Sequence, residues 1–372
     1  MGMRAHRTSL VLGIVVSFAT TVHSNEDPQP LAIGAHCPDF RLPGIDGNDH
    51  ALDDFRSARV LVVAFTCNHC PTAQAYEARF AKFHQDYKDK GVAFVAISPN
   101  DALAVRLDEL GYTDLGDSLE DMKIRARDRN FAFPYLYDGE TQQVSRQFGV
   151  LATPHIFIFD RDRRLRYQGR FDDQEVKAVT SHDAINAVTE LLAEKPVKVE
   201  TTRVFGCSTK WSDKRPSAVE SIAKWNAEPV TLEAIDSAAA AKLVKNETDQ
   251  LLVINLWATW CGPCVLELPE LVTINRMYRG RKFKLVTISL DEPEKADEAL
   301  RVLKTNFASS QNYIYKGDSK DALAEAIDRD WAGPVPHTMV IAPGGKVLYR
   351  KTGGFDALEL KRAIVAFLGR TY

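Results

Sequence analysis

The chain is written twice, and that duplication narrows the folds open to it. Thr153-Pro154-His155-Ile156-Phe157-Ile158-Phe159 leads through Leu165-Arg166-Tyr167 to Gly169. Val335-Pro336-His337-Thr338-Met339-Val340-Ile341 leads through Val347-Leu348-Tyr349 to Gly353, so Pro, His and Tyr recur at one constant spacing. Upstream of each copy lies the same series: an apolar run, a Cys-x-x-Cys pair, a helix-like stretch and a second apolar run. In the first copy these are Val60–Phe65, Cys67-Asn68-His69-Cys70 and Val92–Ile97; in the second, Leu251–Trp257, Cys261-Gly262-Pro263-Cys264 and Phe283–Ile288. Each copy ends in a hairpin, turning at Asp162-Arg163 or Pro343-Gly344-Gly345, and a closing helix, His182–Leu192 or Ala357–Leu368. So long a period means duplicated domains, because solenoid repeats run roughly 20 to 50 residues. The order packs as a layered α/β domain, a central mixed sheet flanked by helices.

With 372 residues and 45% hydrophobic content, two cores can be filled. The expected organisation is a signal peptide at 1–24, a first domain at 30–195, a linker at 196–228 and a second domain at 229–372. Within the linker, Val197-Lys198-Val199 is expected as an edge strand, and Leu232–Val244 as an Ala-rich amphipathic helix opening the second domain. Arg4, His6 and Arg7 precede an apolar stretch, Leu10–Ala19, shorter than the roughly twenty residues a bilayer span needs. Val22-His23-Ser24 then supplies a cleavage site, so export to a periplasmic or extracellular space is expected. A net charge of −3 without a basic block argues against a nucleic-acid partner.

Six cysteines in so long a chain are sparse, and four of them form the two close pairs. A bridge across two intervening residues closes too small a loop to stabilise a fold by chain entropy. At a helix N-terminus the same pair suits reversible dithiol–disulfide chemistry, since free N–H groups and the dipole favour a thiolate. A thiol of pKa ~8.5 is about 3% ionised at pH 7, and one lowered to ~7 about half. Cys37 and Cys207 remain; a structural disulfide between them, independent free thiols, and Cys207 as an extra electron carrier are all open.

Both halves resemble thioredoxin-superfamily domains. The second, with Trp257-Ala258-Thr259-Trp260-Cys261-Gly262-Pro263-Cys264 and Glu267-Leu268-Pro269, is similar to TlpA/ResA-like thiol–disulfide oxidoreductases. The first, with Phe65-Thr66-Cys67-Asn68-His69-Cys70-Pro71, looks like a redoxin (AhpC/TSA-type) domain. The resemblance implies an enzyme that exchanges disulfides with protein thiols, fed by a membrane or soluble thiol reductant, and using no cofactor or metal beyond its redox-active disulfides. It makes Cys261 the attacking thiolate and Cys264 the resolving thiol, Trp257 and Trp260 the walls of the site, and Pro269 a helix-kink proline. It makes Pro336 cis, with Val335 pairing to a substrate backbone, and gives Thr153 and Pro154 the same task in the first domain. The buried Asp of thioredoxin is replaced by Asn255 and Leu61, so Glu267 becomes the candidate proton acceptor in the second domain. In the first, His69 beside Cys67 is expected to stabilise its thiolate, as in the periplasmic oxidase with Cys-Pro-His-Cys, and to make that pair the more oxidising. Electrons would then run from Cys261/Cys264 towards Cys67/Cys70, if the sites meet.

Rival readings fare worse. A peroxiredoxin needs Pro and Thr where this chain has Val60 and Ala64. Zinc knuckles do not stand so far apart in sequence, each opening a helix. Covalent haem needs His where Pro71 and Val265 stand, and the copper-handling Sco proteins use Cys-x-x-x-Cys. A binding module, with only the second domain active, stays open for the first. His155 and His337 are read as loop-orienting residues, and Asp172-Asp173 and Asp291-Glu292-Pro293-Glu294 as exposed loops or helix starts.

Overall fold

Two separate sheets organise the computed structural model, which describes residues 2, 28–317 and 319–371. The expected leader, 1–24, falls outside the described residues apart from Gly2. Among the described residues no helix is long and apolar enough to cross a membrane.

The first lobe runs β1 (Arg41–Pro43), β2 (Asp49–Ala51), β3 (Val60–Phe65), α1 (Pro71–Tyr87), β4 (Val92–Ser98), α2 (Leu119–Arg129), β5 (Tyr135–Tyr137) and α3 (Gln143–Phe148). It continues through β6 (Ala152–Thr153), β7 (His155–Phe159), β8 (Leu165–Gly169) and α4 (Asp183–Leu192). The connector carries β9 (Cys207–Ser208) and α5 (Arg215–Asn226). The second lobe holds β10 (Glu233–Ile235), α6 (Ser237–Lys245), β11 (Leu251–Trp257), α7 (Gly262–Tyr278), β12 (Phe283–Ser289) and α8 (Ala296–Thr305). It ends with β13 (Gln311–Tyr315), α9 (Lys320–Ile327), β14 (His337–Ile341), β15 (Val347–Thr352) and α10 (Ala357–Leu368).

The sheet orders are β5-β4-β3-β7-β8 and β10-β13-β12-β11-β14-β15. In each, the strand before the cysteines pairs in parallel with the next long strand and antiparallel with the Pro-His strand. Phe65 faces His155 and Leu256 faces His337, so the sequence repeat is also a repeat of register. This is the thioredoxin-like mixed α/β arrangement that the sequence implied.

Period-two alternation explains why each sheet has two cores. Val60, Val62 and Ala64 pack with Tyr76, Phe80 and Phe83 of α1, while Leu61, Val63 and Phe65 pack with Phe148 and Phe157 on the other face. In the second lobe Leu251 and Val253 join Leu268 and Leu271, and Leu252, Ile254 and Leu256 join Leu323 and Met339. Strands covered on both faces read as unbroken apolar runs, which is what β3 and β11 are. Each fully buried Val, Leu, Ile, Phe or Met among them contributes about 1.5–3 kcal/mol.

Three expectations shift. The helix foreseen over Leu232–Val244 starts later, because Asp236 caps it through Ala239 N–H (2.8 Å) and Glu233–Ile235 pair with β13 as an edge strand. The edge pairing foreseen at Val197–Val199 falls at 200–202, where Gln168 N–H bonds Glu200 and Thr202 N–H bonds Gln168. The span 196–228 is no plain linker, since it contains β9, paired with β6, and α5.

The lobes meet through 107–114. Leu107 and Leu110 pack on the second lobe's core, the Tyr278 hydroxyl donates to Thr113 O (2.7 Å), and Arg281 donates to Gly111 O (3.1 Å). Asp114 takes Arg125 of its own lobe (3.5 Å) and Arg370 of the other (2.7 Å).

Candidate functional site

The second Cys-x-x-Cys lies where β11 turns into α7. Cys261 is the helix N-cap, its sulfur accepting from Cys264 N–H at 3.3 Å, with Pro263 in the first turn where a missing N–H costs nothing. The two cysteines form a disulfide with Cα atoms 5.3 Å apart. Around it the surface is open and apolar: Trp260 is 61% and Leu266 81% exposed, and Gly262 and Pro263 are exposed as well. Beneath, one turn past Cys264 on α7, lies half-buried Glu267. Burial outweighs the hydrogen bonds it accepts from Asn255 Nδ2 (2.9 Å) and the Phe355 backbone N–H and lifts its carboxyl to about 7. Asn255 also donates to Thr338 Oγ1 (3.0 Å), which holds the amide toward the carboxyl. Asp291, expected in an exposed loop or at a helix start, is buried just ahead of a short helical turn and accepts from Thr259 N–H (2.9 Å) and Thr259 Oγ1 (2.7 Å), bracing the approach to Cys261.

The first Cys-x-x-Cys is built differently. Here α1 starts at Pro71, so the N-cap is the second cysteine: Ala73 N–H donates to Cys70 Sγ at 3.4 Å. Cys67 is only 2% exposed and Cys70 is fully buried, both as free thiols. His69 Nδ1 lies 3.7 Å from Cys67 Sγ but is committed to Asp117 Oδ2 at 2.5 Å. Asp117 also accepts Asn68 N–H (2.9 Å), His69 N–H (3.0 Å) and Asn100 Nδ2 (2.7 Å). Burial opposes charge on both partners of this pair, yet their mutual attraction holds His69 above and Asp117 below its ordinary range.

Those charges do not favour a Cys67 thiolate, contrary to the expectation from His69. Burial, then the hydrogen bond with Cys70 and the negative Asp117, push Cys67 up. Burial also works against a Cys70 thiolate, but hydrogen bonds from Cys207 and Cys67, the His69 charge and Ala73 N–H outweigh it and bring Cys70 down. At this site the second cysteine, not the first, is the favoured thiolate.

Thr153-Pro154 and Val335-Pro336 are both cis. Thr153 Oγ1 lies 3.2 Å from Cys67 Sγ, and Thr153 O accepts from the Cys70 thiol at 3.3 Å. His155 and His337 serve the strands. His155 accepts Leu151 N–H at Nδ1 (3.4 Å) and faces Gln168 Oε1 from Nε2 (3.0 Å), and burial lowers it to about 4. His337 sits between Thr352 Oγ1 (2.9 Å) and Asp328 Oδ2 (3.2 Å). Asp172 is likewise no exposed loop residue; it is buried, ion-paired to Arg79 (2.8 Å) and bonded by the Tyr76 hydroxyl (3.0 Å).

The connector completes the first site. Cys207 pairs with Thr153 and Ser208 with Ala152, and Cys207 packs against Cys67, Cys70 and Ala73. Cys37 lies in a different core, its thiol toward Pro38 O (3.5 Å), and burial pushes it to about 12. A Cys37–Cys207 disulfide is therefore not formed. Asp117, Asn100 and the position of Cys207 were not visible in the sequence; the three come together only through the fold. Cys67, His69 and Asp117 place a sulfur, a nitrogen and an oxygen within 4.8 Å of one another, a mixed set of the kind a borderline divalent ion such as zinc takes. With Nδ1 already bonded to Asp117, the arrangement as it stands is a hydrogen-bonded triad.

Several known proteins are similar to parts of this chain. A thiol-disulfide oxidoreductase ResA of Oceanobacillus iheyensis is 29% identical over 96 residues, 26% of this chain and 46% of that protein. ResA of Bacillus subtilis is 28% identical over 102 residues, 27% of this chain and 51% of that protein. The chain thus spans about half the length of these curated relatives. Among solved structures, a hypothetical protein of Sinorhizobium meliloti is 36% identical, matching 50% of this chain and 97% of that one with a TM-score of 0.45. The AhpC/TSA family matches residues 33–168 and again 227–350, well over half of the sequence and one segment for each sheet, and the chain belongs to that family.

Proposed function

We propose that the chain is a thiol–disulfide oxidoreductase for protein cysteines, with Cys261/Cys264 as the site open to other polypeptides. The observation that carries this is the pairing of a capped disulfide, whose Cys261 keeps 6% of its surface exposed beside exposed Trp260, Gly262 and Pro263, with a half-buried carboxyl poised near 7. In the reducing direction, the Cys261 thiolate attacks a substrate disulfide and forms a mixed disulfide, and one substrate sulfur leaves and takes a proton. Cys264 then gives its proton to Glu267 and attacks Cys261 Sγ. The Cys261–Cys264 bond forms, and the second substrate sulfur departs with the electron pair and a proton. The reverse sequence oxidises a substrate dithiol. Trp260 and Leu266 offer apolar contact to the visiting chain, and the Val335 backbone beside Pro336 offers strand pairing.

The leader-like residues 1–24 and the ResA relatives favour export, and the cycle calls for a thiol reductant upstream. No bound cofactor takes part in the cycle. The first site keeps a dithiol but is covered, so exchange with outside chains belongs to the second. Peroxide reduction is disfavoured, because Val60 and Ala64 stand where a peroxiredoxin carries its Pro and Thr.

The test is trapping. Full-length Cys264→Ser is expected to hold protein substrates from an exported fraction as mixed disulfides at Cys261, released by dithiothreitol, and Cys261→Ser to hold none. Insulin reduction should disappear in Cys261→Ser and persist in Cys67→Ser. Equal insulin activity in Cys261→Ser and the parent chain would overturn the assignment.

A further inference from the structure

We propose that Cys207 is a third redox cysteine, exchanging a disulfide with Cys70 inside the chain. The proposal rests on the reading of Cys67 and Cys70 as a redox pair, and adds a partner for it. Geometry points there first. β9 lies antiparallel on β6 with Cys207 opposite Thr153, along the backbone edge beside Pro154 that a docked polypeptide would use. The chain has filled that edge with a segment of its own, and the residue it places there is a cysteine.

The segment is fixed in place. A Cβ on Gly206 would stand 2.1 Å from Thr153 O, so only glycine permits this approach, and its φ of +143° suits no other residue. Lys210 N–H donates to Asn100 Oδ1 (2.9 Å), and Lys210 O accepts from Asp101 N–H (2.9 Å) and Gln142 Nε2 (2.9 Å). Lys210 Nζ meets Glu109 (2.6 Å), and the Arg146 guanidinium lies 4.5 Å from the Trp211 ring centre. Asn100 reaches both ways, holding the connector through Oδ1 and Asp117 through Nδ2. Cys207 itself packs on Cys67, Cys70 and Ala73. Residues 66–74 are all buried, so an outside sulfur must displace the connector to reach the pair, whereas Cys207 is already against it. The hydrogen bond between Cys207 and Cys70 agrees with this placement.

The chemistry needs no further oxidant once glutathione disulfide, a small molecule admitted when the connector opens, has oxidised Cys67/Cys70. The Cys207 thiolate attacks Cys70 Sγ, the Cys70–Cys207 bond forms and the Cys67–Cys70 bond breaks. The electron pair goes to Cys67, which takes up a proton. The oxidation level is unchanged; the disulfide has moved, and Cys67 is a thiol again.

Trypsin separates the partners, because residues 60–79 carry Cys67 and Cys70 and residues 204–210 carry Cys207. The full chain is equilibrated with glutathione disulfide, acid-quenched, alkylated, digested and read by mass spectrometry. Cys67→Ser is expected to yield the 60–79 peptide cross-linked to 204–210. In Cys70→Ser that cross-link should fall about tenfold or more. Cys67→Ala repeats the first measurement in a second background, and an unchanged thermal unfolding transition of each variant reports that the chain is folded. Separately alkylated or glutathionylated Cys70 and Cys207 in both Cys67 variants would overturn the proposal, and an intact Cys67–Cys70 disulfide in the parent chain would confine the failure to Cys207. If the parent forms no Cys67–Cys70 disulfide either, the redox reading of the first site falls with it.

Discussion

Glu267 changes charge in the range where a resolving thiol must lose its proton. Glu267→Gln is expected to slow resolution by Cys264 on the order of 10²-fold near neutral pH, and to erase the inflection near pH 7 from the rate profile. Stopped-flow tryptophan fluorescence across pH 5 to 9 checks both. The same shift has a stability sign. The folded chain holds a proton that the unfolded chain releases near 4.5, so stability falls as pH rises from about 4.5 to about 7. In a pH series of melting temperatures, Glu267→Gln flattens that stretch. At the first site, raised His69 stabilises the fold below its ordinary 6.5 and loses that contribution as pH rises through its elevated value. Depressed Asp117 contributes above its ordinary 3.8 and loses it in acid. Asp117→Ala strands His69 and three further donors in the interior, for an expected loss of about 3–5 kcal/mol in urea unfolding. The cysteines, His69 and Glu267 could be named from sequence because Cys-x-x-Cys and its neighbours are local. Asp117 could not: it meets His69 across 48 positions, and nothing near it in the chain announces a buried carboxylate.

At the scale of elements, β3, β4, β11 and β12 were legible because covered strands must be apolar on both faces, and Pro-His marked where β7 and β14 begin. The connector was not, because its order comes from backbone pairing and polar anchors. Gly206→Ala tests how that segment is held. A methyl group there collides with Thr153 O, so β9 should lift from β6. Iodoacetamide should then label Cys67 and Cys70 on the order of tenfold faster, equivalent to about 1.4 kcal/mol of local opening. Unchanged labelling would mean that the connector does not limit access. The shifted helix start is the other lesson here. Two loops spelled Cys-x-x-Cys differ in which sulfur caps the helix, a choice made by the turn geometry.

For the whole molecule, duplication announced two lobes, but the joint between them was hidden in ordinary polar residues. Asp114 binds Arg125 from its own lobe and Arg370 from the other, and Tyr278 reaches Thr113. Burial opposes its charge, yet Arg370 holds Asp114 below the usual carboxylate range, so the joint weakens in acid and holds at neutral pH. Asp114→Ala is expected to cost about 3 kcal/mol and to separate the melting transitions of the two lobes in calorimetry. Tyr278→Phe, losing one neutral hydrogen bond, should cost about 1 kcal/mol.

The pairing of β9 with β6 gives the two dithiols different kinetic orders. Encounters at Cys261 become rarer as the protein and its clients are diluted, because two molecules must collide. The strand over Cys70 arrives by folding and stays at the same local concentration at any dilution. Opening there is a first-order event, with a rate that belongs to each molecule alone.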